Sequence, residues 1–523
     1  MSDVAQSQST ANPGIKDLTG RRQFARNVAF AWGGYAVNVI AGFIMPRLIS
    51  DRLGQTTLGI WDFSWSIVSY FSLIQLNLGS SINRYVARHR AAHDEEGLCR
   101  SVSTIGFFLR LCALLAFLLT LAVVFWVVPL FQSRLGAQTN MANWVVFFLG
   151  LEISISLLFT LYNGVLAGCH RFDIHNTVSA ITYLAMAVGM IIALVAGGGL
   201  ISVAVVHCLC AVGGDVARLF LARRVCPELR IDYGKANWPT FFEQARFSAK
   251  SLVPRVAEMV SSQSLSFVLT SFFGPAMLAI YFRCQNLVRQ GNTLSAKFGY
   301  MLVPTASSLH AQEDQSGLRQ TFRDSIRQIA YLGMPIAVTL AIFGDEVIRL
   351  WMGQAYVYPG LIALMAVAGF PAWVQEPIWS ILAGMNKHGR IGWVKFIGAC
   401  FSGLALISAL TWLGNDLRIA AAAFLLPQMI VDLAITPVLA CRCLGMPITT
   451  YYMDALLRPF ACVLPYGVCL LGARFAFHDS PHLAFSCGIA AIVALVSCYW
   501  FFVCPVSVKK IIQKKMNFAA RTA

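Results

Sequence analysis

Charge is scarce in this chain: Asp, Glu, Lys and Arg make up only 12% of its 523 residues, against about 25% in soluble domains. With 57% apolar residues and a mean hydropathy of +0.66, that shortage excludes an ordinary soluble enzyme. Asp-x-Asp, His-Glu-x-x-His and phosphate-loop patterns are all missing, so no motif points to glycosyl transfer or metal-assisted hydrolysis. Cysteine is missing from the expected outer loops; most of the fifteen cysteines fall inside apolar runs, where Cys packs as a small apolar residue and implies no disulfide framework. The Cys208/Cys210 and Cys441/Cys443 pairs lack zinc-site spacing and histidine partners. No metal, cofactor or catalytic residue is therefore expected. The polar first residues lack the apolar core and cleavage site of a signal peptide, so the run from Val28 reads as a retained span.

So much apolar surface needs lipid as its solvent. A helix crossing roughly 30 Å of hydrocarbon takes about 20 apolar residues, and the chain offers about fourteen such runs. The first covers Val28 to Pro46, the second Leu58 to Ile82, the eighth Ala276 to Leu302, the tenth Tyr358 to Leu382 and the last Leu483 to Val503. The fold class expected is an all-α polytopic membrane protein.

The net charge of +16 would suggest nucleic acid for a soluble protein, but here its distribution decides. With the N-terminus in the cytoplasm, Arg84, Arg88, Arg90, Arg100, the stretch from Arg223 to Lys250, Arg319, Arg323, Arg327, Arg442, Arg458 and the C-terminal lysines all fall inside. Arg47, Arg52, Arg134, Arg349, Arg418 and Arg474 remain outside. This bias predicts an even number of spans with both termini cytoplasmic. Ile511, Ile512 and Met516 interleave the tail lysines as in an interfacial helix, which argues against a nucleic-acid partner.

The sequence repeats itself. At an offset of 220 residues, Leu53-Gly54 through Gly59-Ile60-Trp61 meets Phe273-Gly274 through Ala279-Ile280-Tyr281, and Asp94 and Gly97-Leu98 meet Asp314 and Gly317-Leu318. At an offset of 216, Val165-Leu166-Ala167-Gly168 meets Ile381-Leu382-Ala383-Gly384. Six spans per copy, an even number, predict two parallel lobes around a central cavity, with a C-terminal helix pair added. The organisation expected is a tail over 1–25, an N-lobe over 26–222, an interfacial linker over 223–247, a C-lobe over 248–441, a helix pair over 442–508 and a basic tail over 509–523.

Ionisable residues within spans cost roughly 2.5 to 3.5 kcal/mol each on the insertion scale, so they default to the protein interior or a wet lumen. The eighth span carries the densest set. Arg283, Asn286, Gln290, Thr293 and Lys297 fall within about 80° on a helical projection, with Arg289 on the flank. Arg255 and Glu258 add charge to the seventh span. The duplicate positions of the first copy, Tyr35, Asn38, Ser66, Ser69, Tyr70 and Asn77, are polar but uncharged. The inferred cavity is hydrophilic throughout and positive mainly on the second lobe, which suits an anionic headgroup with sugars. Glu152, Glu258, Glu376 and Asp432 are candidates for ion coupling, whereas Asp215, with Arg218 three residues on, reads as an ion-pair partner. Pro371 and Pro377 bracket Glu376 and predict a broken helix there. Gly164 and Gly168 read as close-packing positions.

At Leu53-Gly54 through Gly59-Ile60-Trp61, Leu78-Gly79-Ser80-Ser81 and Arg84, and again at Phe343-Gly344-Asp345-Glu346 through Trp351-Met352-Gly353, the chain resembles the multidrug/oligosaccharidyl-lipid/polysaccharide (MOP) exporter superfamily. Within it the polysaccharide-transporter branch, with the Wzx-type O-antigen flippases, is the match. The resemblance implies a MATE-like fold and, with no enzymatic step, transfer of an undecaprenyl-diphosphate-linked oligosaccharide from the inner to the outer leaflet of a bacterial cytoplasmic membrane. The repeat unit would belong to O-antigen of lipopolysaccharide, to exopolysaccharide or to capsule. It implies that lipid-linked oligosaccharide, membrane lipids and polysaccharide polymerase or export machinery are the partners. Under it, Arg255, Arg283, Arg289 and Lys297 would meet the diphosphate, and Asn38, Ser66, Tyr70, Asn77, Asn286 and Gln290 the sugars. The alternatives are a lipid II flippase, disfavoured because Tyr35 and Asn38 stand where that group has first-helix arginines; a cation-drug antiporter, which wants an acidic cavity; and a membrane glycosyltransferase or polymerase.

Overall fold

The computed structural model describes residues 21–477, apart from 76–77, 170 and 250–251, and scattered positions over 486–499. Of 21–32, 34–35, 79–80, 246–249, 252–255, 257–258, 260–262 and 300–301 it describes the backbone alone. The last expected span, Leu483 to Val503, and both tails fall largely outside the described residues.

Every described element is helical. In chain order they are α1 (Arg21–Leu53), α2 (Gln55–Ser69), α3 (Leu78–Ala91), α4 (Glu95–Leu130), α5 (Thr139–Gly168), α6 (Phe172–Val195), α7 (Leu200–Val225) and α8 (Trp238–Ala249). Then follow α9 (Leu252–Phe273), α10 (Pro275–Ala311), α11 (Gln315–Met352), α12 (Leu361–Gly384), α13 (Gly389–Trp412), α14 (Leu417–Leu444) and α15 (Ile448–Ala476). Nine helices among the described residues are long and apolar enough to cross a membrane. Their outward faces require it. On α6, Ile181, Leu184, Val188, Ile192 and Val195 are exposed, and on α13 Trp393, Ile397, Phe401 and Leu404. Steps of three and four residues put each set on one stripe, which only lipid or a partner helix can solvate.

Two expectations are corrected. The run from Leu58 to Ile82 is not one helix: α2 tightens into a 3-10 turn over Tyr70–Leu73, and a new helix starts at Leu78. The hydroxyls of Ser66, Ser69 and Ser72 donate to the carbonyls of Asp62, Trp65 and Ser69, a back-bonding that bends helices. Conversely, α12 runs unbroken from Leu361 to Gly384 with Pro371 and Pro377 inside it. Buried neighbours on both sides of each proline, among them Phe370, Trp373, Val374 and Ile378, hold the helix through positions where proline withholds a donor.

The chain divides into two compact units, Met1–Leu278 and Ala279–Ala523. The duplication is visible along the chain, although the second copy begins inside the first unit. Gly54 joins α1 to α2 at φ +89°, and Gly274 joins α9 to α10 at φ +81°, positive angles that cost a side chain about 1 to 3 kcal/mol. Asp94 accepts from the Gly97 N–H at the start of α4, and Asp314 from the Gly317 N–H at the start of α11, each at 2.8 Å. The residue before each cap, His93 and Glu313, takes positive φ. The Gly97 amide and His89 hold the Asp94 carboxyl below its usual range, and the Ser316 hydroxyl and Gly317 amide do the same for Asp314. Near the end of α5, a Cβ on Gly168 would strike Val86 and the Asn83 carbonyl; at the end of α12, one on Gly384 would strike Ala306 and the Val303 carbonyl. These neighbours are themselves 220 residues apart. Gly164, against Ile82, is a close-packing position of the same kind.

In the first unit the segment after α7 folds back over α4. The Asp232 N–H donates to Ser103 Oγ at 2.8 Å, Phe241 stacks on Phe108, and Trp238 meets Phe108 edge-on. Over this stretch, where an interfacial elbow was expected at 223–247, the structure has a 3-10 turn at Tyr233–Lys235 and α8, with Gln244 buried and its backbone carbonyl accepting from Ser81.

Candidate functional site

In the first unit α2 and α9 are sewn together by hydroxyls. Ser266 Oγ donates to Ser66 Oγ at 2.8 Å, and the hydroxyls of Tyr70 and Ser264 share a bond of 2.9 Å. Ser66 is buried, so the structure places it in a helix contact and not on an open wall; Tyr70 remains half-buried. Asn38 is exposed on α1. Asn77 lies outside the described residues, as do the side chains of Tyr35, Arg255 and Glu258, of which the last two belong to α9.

A buried charged layer crosses α5, α6 and α7. Asp215 accepts from Arg218 at 2.9 Å and from Ser156 on α5 at 2.5 Å, while Arg218 also donates to Ser179 on α6 at 2.9 Å. Asp215 is thus the ion-pair partner its spacing predicted. On the same two helices, α5 and α7, Glu152 faces His207, with Oε2 and Nδ1 3.9 Å apart. The His207 ring stands edge-on to Trp61 and Trp65 of α2 at 5.8 and 5.3 Å between centroids. His207 was missed from the sequence because a lone histidine in an apolar run reads as core. Its possible signal was Glu152 in the preceding pair of spans.

In the second unit the polar set on α10 separates by depth. Arg283 is 2% exposed, Asn286, Gln290 and Thr293 are half-buried, and Arg289 and Lys297 are exposed. The structure therefore brings Asn286, Gln290, Arg289 and Lys297 to the surface of this unit and withdraws Arg283 into it. On α14 a π turn over Val431–Ile435 carries Asp432, which is 5% exposed and 3.5 Å from Lys395 of α13. Gln375 of α12 donates to the Asp432 carbonyl and to the Tyr451 hydroxyl. Glu376, the next residue, is half-buried, and its side chain packs on Gly299 of α10. No group of three or more His, Cys, Asp or Glu side chains among the described residues has the arrangement of a metal site.

These helices define a multi-pass membrane protein with the fold of MOP-superfamily transporters. An inward-facing MATE multidrug resistance transporter superimposes with a TM-score of 0.63 at 12% identity, covering 80% of this chain and 98% of that one. The lipid II flippase MurJ in an inward closed conformation gives 0.66 at 13%, covering 90% and 99%. A MOP transporter of Pyrococcus furiosus, described by the reverse polarity of its binding pocket, gives 0.58 at 15%, covering 84% and 99%. By sequence, the chain belongs to the polysaccharide biosynthesis protein family, whose model it matches over residues 66–358. It is 20% identical over 323 residues to the "Putative O-antigen transporter" of Shigella flexneri, covering 62% of this chain and 75% of that protein.

Proposed function

We propose that the protein is a flippase that moves an undecaprenyl-diphosphate-linked oligosaccharide, the repeat unit of an O-antigen, exopolysaccharide or capsule, from the inner to the outer leaflet of the bacterial cytoplasmic membrane by alternating access. The observation that carries this reading is the polar face of α10, with Arg289 and Lys297 exposed beside Asn286 and Gln290, in a chain of a polysaccharide biosynthesis family with a MOP fold. Guanidinium and ammonium groups suit a diphosphate, and neighbouring amides suit sugar hydroxyls. In this reading Arg255, Arg289 and Lys297 serve the headgroup, Asn38, Tyr70, Asn77, Asn286 and Gln290 the sugars, and the buried Arg283 and Ser66 hold the walls. No catalytic residue takes part, and both termini lie in the cytoplasm. The lobes are 26–222 and 248–441, linked through 223–247 and followed by a helix pair over 442–508, for about fourteen spans in all. The partners are lipid-linked oligosaccharide, surrounding lipids and the polymerase or export machinery that receives the product.

Coupling falls to buried carboxylates. Glu152 beside His207 and Asp432 beside Lys395 each have a basic partner, so proton or ion exchange at either changes a buried charge balance; Glu258 and Glu376 are further candidates. A cation-drug antiporter would need acidic groups facing the cargo, and these two carboxylates are buried instead.

Replacing Arg289 with Ala is expected to slow flipping of a fluorescent undecaprenyl-diphosphate oligosaccharide in proteoliposomes by roughly tenfold, the worth of one charge-assisted contact. Insertion and thermal stability should stay near those of the parent protein, because the side chain is exposed. Parental flipping by the variant removes Arg289 from the site.

A further inference from the structure

A second cationic feature lies apart from the polar face of α10, where α11 begins. Ser316, Arg319, Gln320, Arg323, Asp324 and Arg327 of α11, with Asp454 of α15, line a pocket of about 500 Å³. Arginines four residues apart stack on one helical face. Arg323 pairs with Asp454 at 2.9 Å, and Arg458 holds the other oxygen of that buried carboxylate at 2.6 Å. Arg319 donates to the Leu444 carbonyl at 2.8 Å. Among the described residues neither Arg319 nor Arg327 makes an ion pair, although Asp324 lines the same pocket. Three guanidinium groups and two carboxylates line the pocket, and with Arg458 also on Asp454 the pocket keeps a positive balance.

The first copy of the repeat builds its matching helix without arginines at these positions. At the offset of 220 that matches the Asp94 and Asp314 caps, the first copy has Cys99, Ser103 and Phe107 where the second has Arg319, Arg323 and Arg327. There Ser103 accepts the Asp232 amide, and aromatic rings of α8 cover the next turn of α4. The matching surface of α11 is open and basic. Three planar guanidinium groups follow one another on one face, Arg327 two residues before the apolar run that opens at Ile329 and Arg323 and Arg319 further toward the helix start, and they meet the chemistry of a lipid phosphate, which takes paired N–H donors.

We infer that this pocket binds the phosphate of an anionic lipid headgroup, held chiefly by Arg319 and Arg327, in the leaflet that faces the start of α11. In the orientation proposed above that is the inner leaflet. The inference rests on the pocket and the repeat alone, and stands whether or not the cargo is a lipid-linked sugar.

Native mass spectrometry of the full chain, released from phosphatidylcholine nanodiscs and titrated with phosphatidylglycerol, undecaprenyl diphosphate and inorganic pyrophosphate, tests it. Arg319→Gln with Arg327→Gln should weaken phosphatidylglycerol retention by roughly tenfold or more. Arg319→Lys with Arg327→Lys should weaken it less, since charge remains while the bidentate fork is lost. Retention by the unaltered protein should fall as salt rises. Displacement of phosphatidylglycerol by undecaprenyl diphosphate that needs the same arginines supports the pocket and makes the cargo one of its occupants; phosphatidylglycerol binding alone supports the pocket and leaves the cargo reading untouched. Retention that ignores both the Gln substitutions and salt overturns the inference, as does tight pyrophosphate binding with no preference for anionic lipid. Should the Gln variant fail to remain monodisperse, the Lys variant and the salt titration decide.

Discussion

Asp215→Ala should destabilise the first unit by about 3 to 5 kcal/mol, the range for removing one member of a buried ion pair. Asp215 and Arg218 are 5% and 12% exposed at their side chains, and their bonds to Ser156 and Ser179 tie α5, α6 and α7 together. The cost comes less from the lost attraction than from the cation left behind: without its partner, Arg218 must stay buried as an uncompensated charge or pull toward water. Asp215→Asn keeps the shape but not the charge, and should recover only part of the loss. Replacing both residues with Leu removes the orphaned cation, and should be far milder than the sum of the single changes. Denaturant titration in detergent, read as a double-mutant cycle, checks this. Single variants costing less than 1 kcal/mol would show that the layer is solvated.

A larger effect is expected at Gly59. A Cβ there would lie 1.8 Å from the Pro275 carbonyl oxygen and 2.3 Å from its carbon. The obstacle is backbone at the start of α10, fixed behind Gly274, so no rotamer change relieves it. Gly59→Leu should therefore yield no monodisperse protein. Gly54→Ala, five residues earlier, is the contrast: nothing lies within 4 Å of its Cβ, but φ is +89°. With ψ at 164° this is a region almost confined to glycine, and the change should cost about 1 to 3 kcal/mol from backbone strain alone. The two glycines stand in one short run and are required for different reasons, a contact and a dihedral angle. Size-exclusion profiles of the purified variants distinguish them; a well-behaved Gly59→Leu protein would contradict the close approach.

That run was also where the sequence was most legible. The offset of 220 residues was found from Leu53-Gly54 and Asp94-Gly97, and the structure gives its cause: a positive-φ hinge and a helix cap are local devices that tolerate few residue types. The membrane-spanning character was equally plain, because lipid-facing stripes need only apolar residues at helical spacing. What periodicity could not show was which polar side chains are spent on neighbouring helices. Ser66 looks like a lumen residue until Ser266 is placed beside it, and Arg283 shares the stripe of Lys297 although one is buried and the other exposed. The unbroken α12 makes the same point, since proline weakens a helix locally but packing decides whether it breaks. His207 depends on contacts between helices far apart in sequence, which no single run of residues encodes; the arginine pocket of α11 has its cations in one run, four residues apart, and only its closure by Asp454 of α15 is hidden from sequence.

Whether the protein flips an oligosaccharide carried on undecaprenyl diphosphate is read out by leaflet-resolved accessibility of a fluorescent form of that lipid in energised proteoliposomes. The intact chain should move the label between leaflets, and the movement should be lost when Arg255, Arg289 and Lys297 are replaced together by Ala. Absence of movement by intact, energised protein, with active efflux of a cationic drug by the same preparation, would contradict the flippase reading.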